Sequence, residues 1–282
     1  MQAIRTRTLL VAIGVVLTTT VTWTSSPVWA RPAPAGISID YDYDASDIGK
    51  PDWAWHGRAY LPPAVTAQPS RPRPLVIFLH GVNPSFTRFF WMGGGSEPDV
   101  RVWLDEIIDS GSIEPPVLAA PSSDHSCTLP QALFTGFDLD RFLDRTLRAT
   151  RGKATIDLSR VILVGHSGAG CNRNGGLMSA LRGSVAPRAA LVIDVCMDPY
   201  DAPGFALGRP GMDLVVTWQS SWDRNVKDFE ARLLEESAAR GAVGMRLVQE
   251  MEAEQPNAHE RIVERSLQRW LPVWIPSHPD QR

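Results

Sequence analysis

The stretch Val161-Ile-Leu-Val-Gly-His-Ser-Gly-Ala-Gly170 decides the fold. Four apolar, mostly β-branched residues read as a short buried strand, and they run straight into Gly165-His166-Ser167-Gly168-Ala169-Gly170. A strand that stops at glycine, presents one serine and continues through small residues predicts a sharp strand-to-helix turn. A side chain held out on such a turn needs neighbours of little bulk, and glycine accepts backbone geometry that other residues resist.

The chain around this turn alternates buried strands with amphipathic helices. Pro74-Leu-Val-Ile-Phe-Leu-His80 is a nearly continuous apolar run ending at His80-Gly81, the kind found inside a parallel sheet. Further strands are predicted at Val117–Ala120, Ala189–Val195, Leu214–Trp218 and Met245–Glu250. Ile37–Asp44 alternates apolar and polar residues and predicts an edge strand, with another at Trp53–Leu61. Helical spacing appears over Glu97–Ile108, Asp138–Ala149, Ala169–Arg182, Asn225–Gly241 and Glu260–Trp270. This order predicts an α/β fold of three layers, a mostly parallel central sheet with helices on both faces. Only fifteen residues lie between Asp198 and Leu214, too few for a large helical cap.

The first thirty residues are set apart. Arg5 and Arg7 precede a mostly apolar run, Leu9–Val21, and Val28-Trp29-Ala30 offers a cleavage site before Arg31. This predicts a secretory signal peptide over residues 1–30 and one domain over 31–282. The expected location is extracellular or periplasmic, with no stable membrane insertion after cleavage. Loss of the two arginines takes the net charge from −3 to −5. So mild an acidic balance gives no support for a nucleic-acid partner. Cys127, Cys171 and Cys196 allow at most one internal disulfide. No CxxC pair or His cluster implies a metal, and no cofactor is expected.

The element order and the turn together resemble the α/β-hydrolases, over about residues 53–272. The usual Gly-x-Ser-x-Gly elbow appears as Gly165-His166-Ser167-Gly168-Ala169, with alanine in the last position. The resemblance implies that Ser167 is a nucleophile, which needs a base because a serine hydroxyl attacks poorly near neutral pH. His259 follows the last strand and directly precedes the terminal helix, where the family keeps its catalytic histidine. His166 is expected to pack or hydrogen-bond under the sheet edge, and His80 to belong to the oxyanion turn. For the acid, Asp223 follows the strand Leu214–Trp218 at the commonest family position and gives the chain order Ser, Asp, His. Asp198, after the preceding strand, is the alternative. Asp194 lies inside that strand, where its charge would need a partner. The family implies backbone N–H groups of Val82 and Gly168 as the oxyanion donors.

Phe86, Phe89, Phe90 and Trp91 follow the oxyanion turn and, with Trp222, are candidates to line a substrate pocket. The activity implied is hydrolysis of a small or polymeric extracellular ester through a Ser-His-Asp triad. An amidase or peptidase with the same triad is one alternative. A non-catalytic binding protein on this fold is the other.

Overall fold

The computed structural model describes residues 33–43, 55–95, 98–123, 129–219, 226–252 and 254–277. The predicted signal peptide, Cys127, Trp222 and Asp223 lie outside the described residues. The strands are β1 (Ile37–Tyr43), β2 (Trp55–Leu61), β3 (Pro72–Leu79), β4 (Val117–Ser123), β5 (Thr155–His166), β6 (Ala189–Ile193), β7 (Asp213–Gln219) and β8 (Arg246–Met251). They form one sheet in the order β1-β2-β4-β3-β5-β6-β7-β8. β1 pairs antiparallel with β2, and β2 antiparallel with β4. From β4 through β3, β5, β6 and β7 to β8 every pair is parallel.

The helices are α1 (Pro63–Thr66), α2 (Val100–Asp109), α3 (Leu139–Thr150), α4 (Gly176–Ala180), α5 (Ala202–Phe205), α6 (Val226–Ala239) and α7 (Ala258–Trp274). Asp99 caps α2 by accepting from the Arg101 N–H, and Asp138 caps α3 by accepting from that of Arg141. Successive strand residues point to opposite faces, so continuous apolar runs feed two cores at once. Leu75, Ile77, Leu79, Val161 and Leu163 pack with Phe142 of α3, Leu177 of α4, Phe205 of α5 and Phe229 of α6. Val76, Phe78, Ile162 and Val164 pack on the other face with Trp103 of α2 and Val263, Leu267 and Trp274 of α7. The architecture is the three-layer α/β-hydrolase fold.

Two expectations change. The helix predicted over Ala169–Arg182 is two short pieces, a 3-10 turn at Ser167–Gly170 and then α4. The Asn172 side-chain oxygen accepts the Asn174 N–H and bends the chain between them. Gly176 then adopts φ +51° with its backbone against Ala169, where a Cβ would lie 2.1 Å from the Ala169 carbonyl oxygen. β4 also runs past Pro121, three residues beyond its predicted end. Its pairing with β3 stops at Ala119, and beyond that it pairs with β2 alone. A proline there removes no bond from the parallel ladder.

The connection between β6 and β7 carries only the four-residue α5. Among the described residues no helix is long and apolar enough to cross a membrane.

Candidate active site

The parallel strands β5 and β6 end side by side, with His166 paired to Ile193. The next residue on each strand is bent the same way: Ser167 has φ +53° and Asp194 has φ +51°. Non-glycine residues rarely adopt this left-handed conformation, and it lifts each side chain off the strand end. Crowding explains the small residues around the serine. A Cβ on Gly165 would meet the Leu177 side chain at 2.2 Å, and one on Gly170 would meet Val195 at 2.5 Å.

His259 is the second residue of α7, directly after Asn257, itself left-handed at φ +67°. Its Nδ1 lies 2.5 Å from Asp194 Oδ2. A carboxylate can only accept, so Nδ1–H donates and Nε2 carries the lone pair. Asp194 is buried and is held from a second side by Gln219 at the end of β7. The Gln219 amide Nε2 donates to Oδ2 at 2.5 Å, and its backbone N–H donates to Oδ1 at 3.4 Å. Three donors therefore compensate the cost of burying this charge.

The carboxylate that His259 bonds among the described residues is Asp194, not one of the two favoured from the sequence. β6 ends at Ile193, two residues short of its predicted end, and the partner that Asp194 requires is the histidine itself. Asp223 lies outside the described residues. Asp198 accepts the Tyr200 N–H at 2.9 Å and lines a different cavity, of about 450 Å³, with Gln131, Arg173 and Asp201.

Ser167 and His259 line one cleft of about 310 Å³ together with Gly81, Val82, Pro84, Phe90, Trp91, His166 and Glu260. Gly81 approaches the serine closely, and a Cβ there would sit 2.7 Å from Ser167 Cβ. Val82 and Gly168 are neighbours, with a Gly168 Cβ position only 3.1 Å from Val82 Cγ2. The loop after Val82 is fixed by Asn83, whose side chain both donates to the Thr87 carbonyl and accepts the Thr87 N–H, each at 2.9 Å. His80 donates from Nδ1 to the Gly81 carbonyl at 2.6 Å.

The aromatic candidates divide. Phe90 and Trp91 line the cleft. Phe89 is buried beneath the Arg58 guanidinium, 3.9 Å from its ring centroid, and Phe86 is mostly exposed. Trp222 lies outside the described residues.

A disulfide joins Cys171 to Cys196, 25 residues apart. It ties the turn that follows Ser167 to the turn that follows Asp194. No pairing was singled out from the sequence, because three cysteines permit three choices.

His166, expected to pack or hydrogen-bond, does both. It is fully buried, its Nε2 donates to the His259 carbonyl at 3.0 Å, and its ring lies 4.4 Å from that of His259. Burial, reinforced by the nearby His259, holds its pKa well below the usual imidazole value. The sequence does not announce these contacts, because His259 lies 93 residues along the chain.

Comparison with solved structures agrees with the topology. A ferulic acid esterase superposes with a TM-score of 0.58 at 13% identity, covering 86% of this chain and 98% of that one. A thermostable esterase gives 0.54 at 17% identity, over 85% of this chain and 60% of the other. Prolyl oligopeptidase B from Galerina marginata gives 0.53 at 10% identity, over 85% of this chain and 36% of its own length. The chain therefore spans less than two thirds of the latter two, and at these identities the likeness is one of fold. No protein-family model and no curated protein matches the chain.

Proposed function

We propose that this protein is a secreted serine hydrolase of carboxylic esters, with Ser167 as nucleophile, His259 as general base and Asp194 as the acid that orients it. The observation that carries the reading is the His259–Asp194 hydrogen bond at the edge of the cleft that Ser167 lines. A base must be presented in one tautomer, and a buried carboxylate on Nδ1 leaves Nε2 to take the serine proton. Ser167 Oγ attacks the ester carbonyl while Nε2 accepts its proton. The resulting oxyanion takes hydrogen bonds from the backbone N–H groups of Val82 and Gly168, each worth about 3 kcal/mol to the transition state by analogy with other oxyanion donors. The imidazolium then protonates the departing alcohol, leaving an acyl-enzyme. Water, deprotonated by His259, repeats the sequence and frees the acid.

Phe90 and Trp91 form the apolar wall of the cleft and favour an acyl group with an aromatic or broad apolar face. The likeness to a ferulic acid esterase over nearly its whole length supports testing aromatic esters first. The short β6–β7 connection favours bulky or polymeric esters as readily as small ones. Amide hydrolysis by the same triad is the second reading, supported by the partial likeness to a prolyl oligopeptidase.

The test is turnover by the protein purified without residues 1–30. Short-chain, long-chain, aromatic and polymeric esters would be compared with amides of matched acyl group. Ester hydrolysis at least about a hundredfold faster than the matched amide, abolished in Ser167→Ala, is expected. Comparable amide turnover transfers the reading to an amidase. An inactive protein across the whole panel contradicts catalysis altogether.

A further inference from the structure

The proposed chemistry leaves one buried titratable side chain at the site without a task. His166 projects from the last residue of β5 and is gripped on two sides. Its Nε2–H reaches a backbone carbonyl 93 residues away, that of His259 itself, at 3.0 Å. Its ring packs on the His259 ring at 4.4 Å, and Trp91 packs on it at 4.8 Å. Its Nδ1 is buried and makes no hydrogen bond. That nitrogen faces Gly81, whose Cβ position would lie only 3.4 Å away.

From this geometry, and resting on the triad reading above, we infer that His166 is a positioning residue that holds the catalytic histidine by its carbonyl and by contact with its ring.

The physical need is specific. Asp194 holds His259 through Nδ1, at one edge of the ring, and a contact at one edge does not by itself fix the tilt of the imidazole. A few tenths of an ångström at Nε2 matters, because proton transfer requires hydrogen-bond reach to the serine. The bond from His166 to the His259 carbonyl fixes the backbone at the start of α7, immediately after the left-handed Asn257. The His166 ring, 4.4 Å away and inclined at 42°, then limits movement of the imidazole itself. Trp91 also packs on the His166 ring, 4.8 Å between centroids and inclined at 49°.

The neighbour must also be uncharged. His259 becomes a cation in the transition state, and a second cation 4.4 Å away would oppose it. The tautomer meets this need: Nε2–H is spent on a carbonyl, and the buried Nδ1 has no hydrogen-bond acceptor among the described residues to take a second proton's bond. The titratable groups around His166 are His259 and Glu260 on α7, His80 after β3, and Asp194 after β6. Asp194 is already engaged by His259 and Gln219, which leaves it no direct part in charging His166.

Two substitutions separate the two grips. His166→Phe keeps a ring and loses the donor; His166→Gln keeps a donor of similar reach and loses the ring. With an ester the wild type turns over, kcat is expected to fall about 10- to 100-fold in the Phe variant, with KM changed less than about twofold. The Gln variant should recover part of that loss. The acidic limb of the pH profile of kcat/KM, which reports the base, should move to lower pH in the Phe variant, since a looser His259–Asp194 pair stabilises imidazolium less. A residue needed only for packing would lower thermal stability without moving that limb.

Isotope-edited NMR of the imidazole nitrogens in the unmodified protein provides a reading independent of any variant. A neutral His166 with its proton on Nε2 is expected at and above the usual imidazole value near pH 6.5. Observation of a charged ring in that range, or of both variants within twofold of wild type beside an inactive Ser167→Ala, overturns the inference alone. Retained turnover in Ser167→Ala overturns the triad reading and this inference with it.

Discussion

Ser167 and Asp194 sit at equivalent places on neighbouring parallel strands, one residue past the end of β5 and of β6, and share the same left-handed backbone. What holds each of them there is different. The serine turn is made possible by what is missing around it: side chains on Gly81, Gly165 and Gly170 would collide with Ser167, Leu177 and Val195. The aspartate turn has no flanking glycine. It is held by polar bonds arriving from elsewhere, from Gln219 on β7 and His259 on α7. One turn is specified locally by small residues, and the other by tertiary hydrogen bonds. The disulfide between Cys171 and Cys196 joins the two.

The comparison breaks first at the carboxylate. Asp194→Asn is expected to lower kcat by about 10³–10⁴-fold, because an amide at this position favours the wrong tautomer of the base. Asp198→Asn and Asp223→Asn should each stay within about threefold of wild type. Steady-state kinetics on all three variants decides the matter, and a matching loss at Asp223 alone would return the role to the position favoured by the family pattern.

Removing the bridge between the turns is expected to cost less. Closing a loop of this length constrains the unfolded chain by about 3 kcal/mol, so Cys171→Ala with Cys196→Ala should lower the unfolding free energy by roughly that amount. Urea unfolding of the oxidised protein and of the double variant measures it. A change below about 1 kcal/mol would show that the turns hold their positions unaided.

The smallest expected effect is a slope with pH. His166 has a lower pKa when folded than when unfolded, so between those two values the unfolded chain binds more protons. Stability therefore rises with pH up to the unfolded imidazole value near 6.5 and is lost as pH falls below it, by at most about 1.4 kcal/mol per unit for this one group. His166→Phe should flatten that limb, as read from urea midpoints between about pH 5 and 7. An unchanged slope would mean that the ring takes up a proton inside the fold.

The difference between the turns also explains what was readable from the sequence. The sheet was legible because buried parallel strands are continuous apolar runs, and β3, β6 and β7 fall within two residues of where those runs predict them. The serine turn was legible because its requirement for small residues is written into adjacent positions. Asp194 was visible as a charge in an apolar strand that needed a partner, but the identities of that partner and of Gln219 depend on contacts 65 and 25 residues away. The family resemblance favoured Asp223, which lies outside the described residues. The helix expected from Ala169 failed for a local reason, the Asn172 turn and the close approach of Gly176 to Ala169, both of which interrupt an otherwise apolar pattern. His166 shows the remaining gap: its hydrogen bond is to a backbone atom, which no side-chain pattern announces.

The central claim is that Ser167 is a nucleophile activated by His259. The most direct measurement is covalent labelling by a fluorophosphonate at neutral pH, with the modified residue located by peptide mass spectrometry. The account predicts stoichiometric modification at Ser167, absent in Ser167→Ala and strongly slowed in His259→Ala. An unlabelled Ser167 in the folded protein, or labelling that proceeds equally fast without His259, would contradict it.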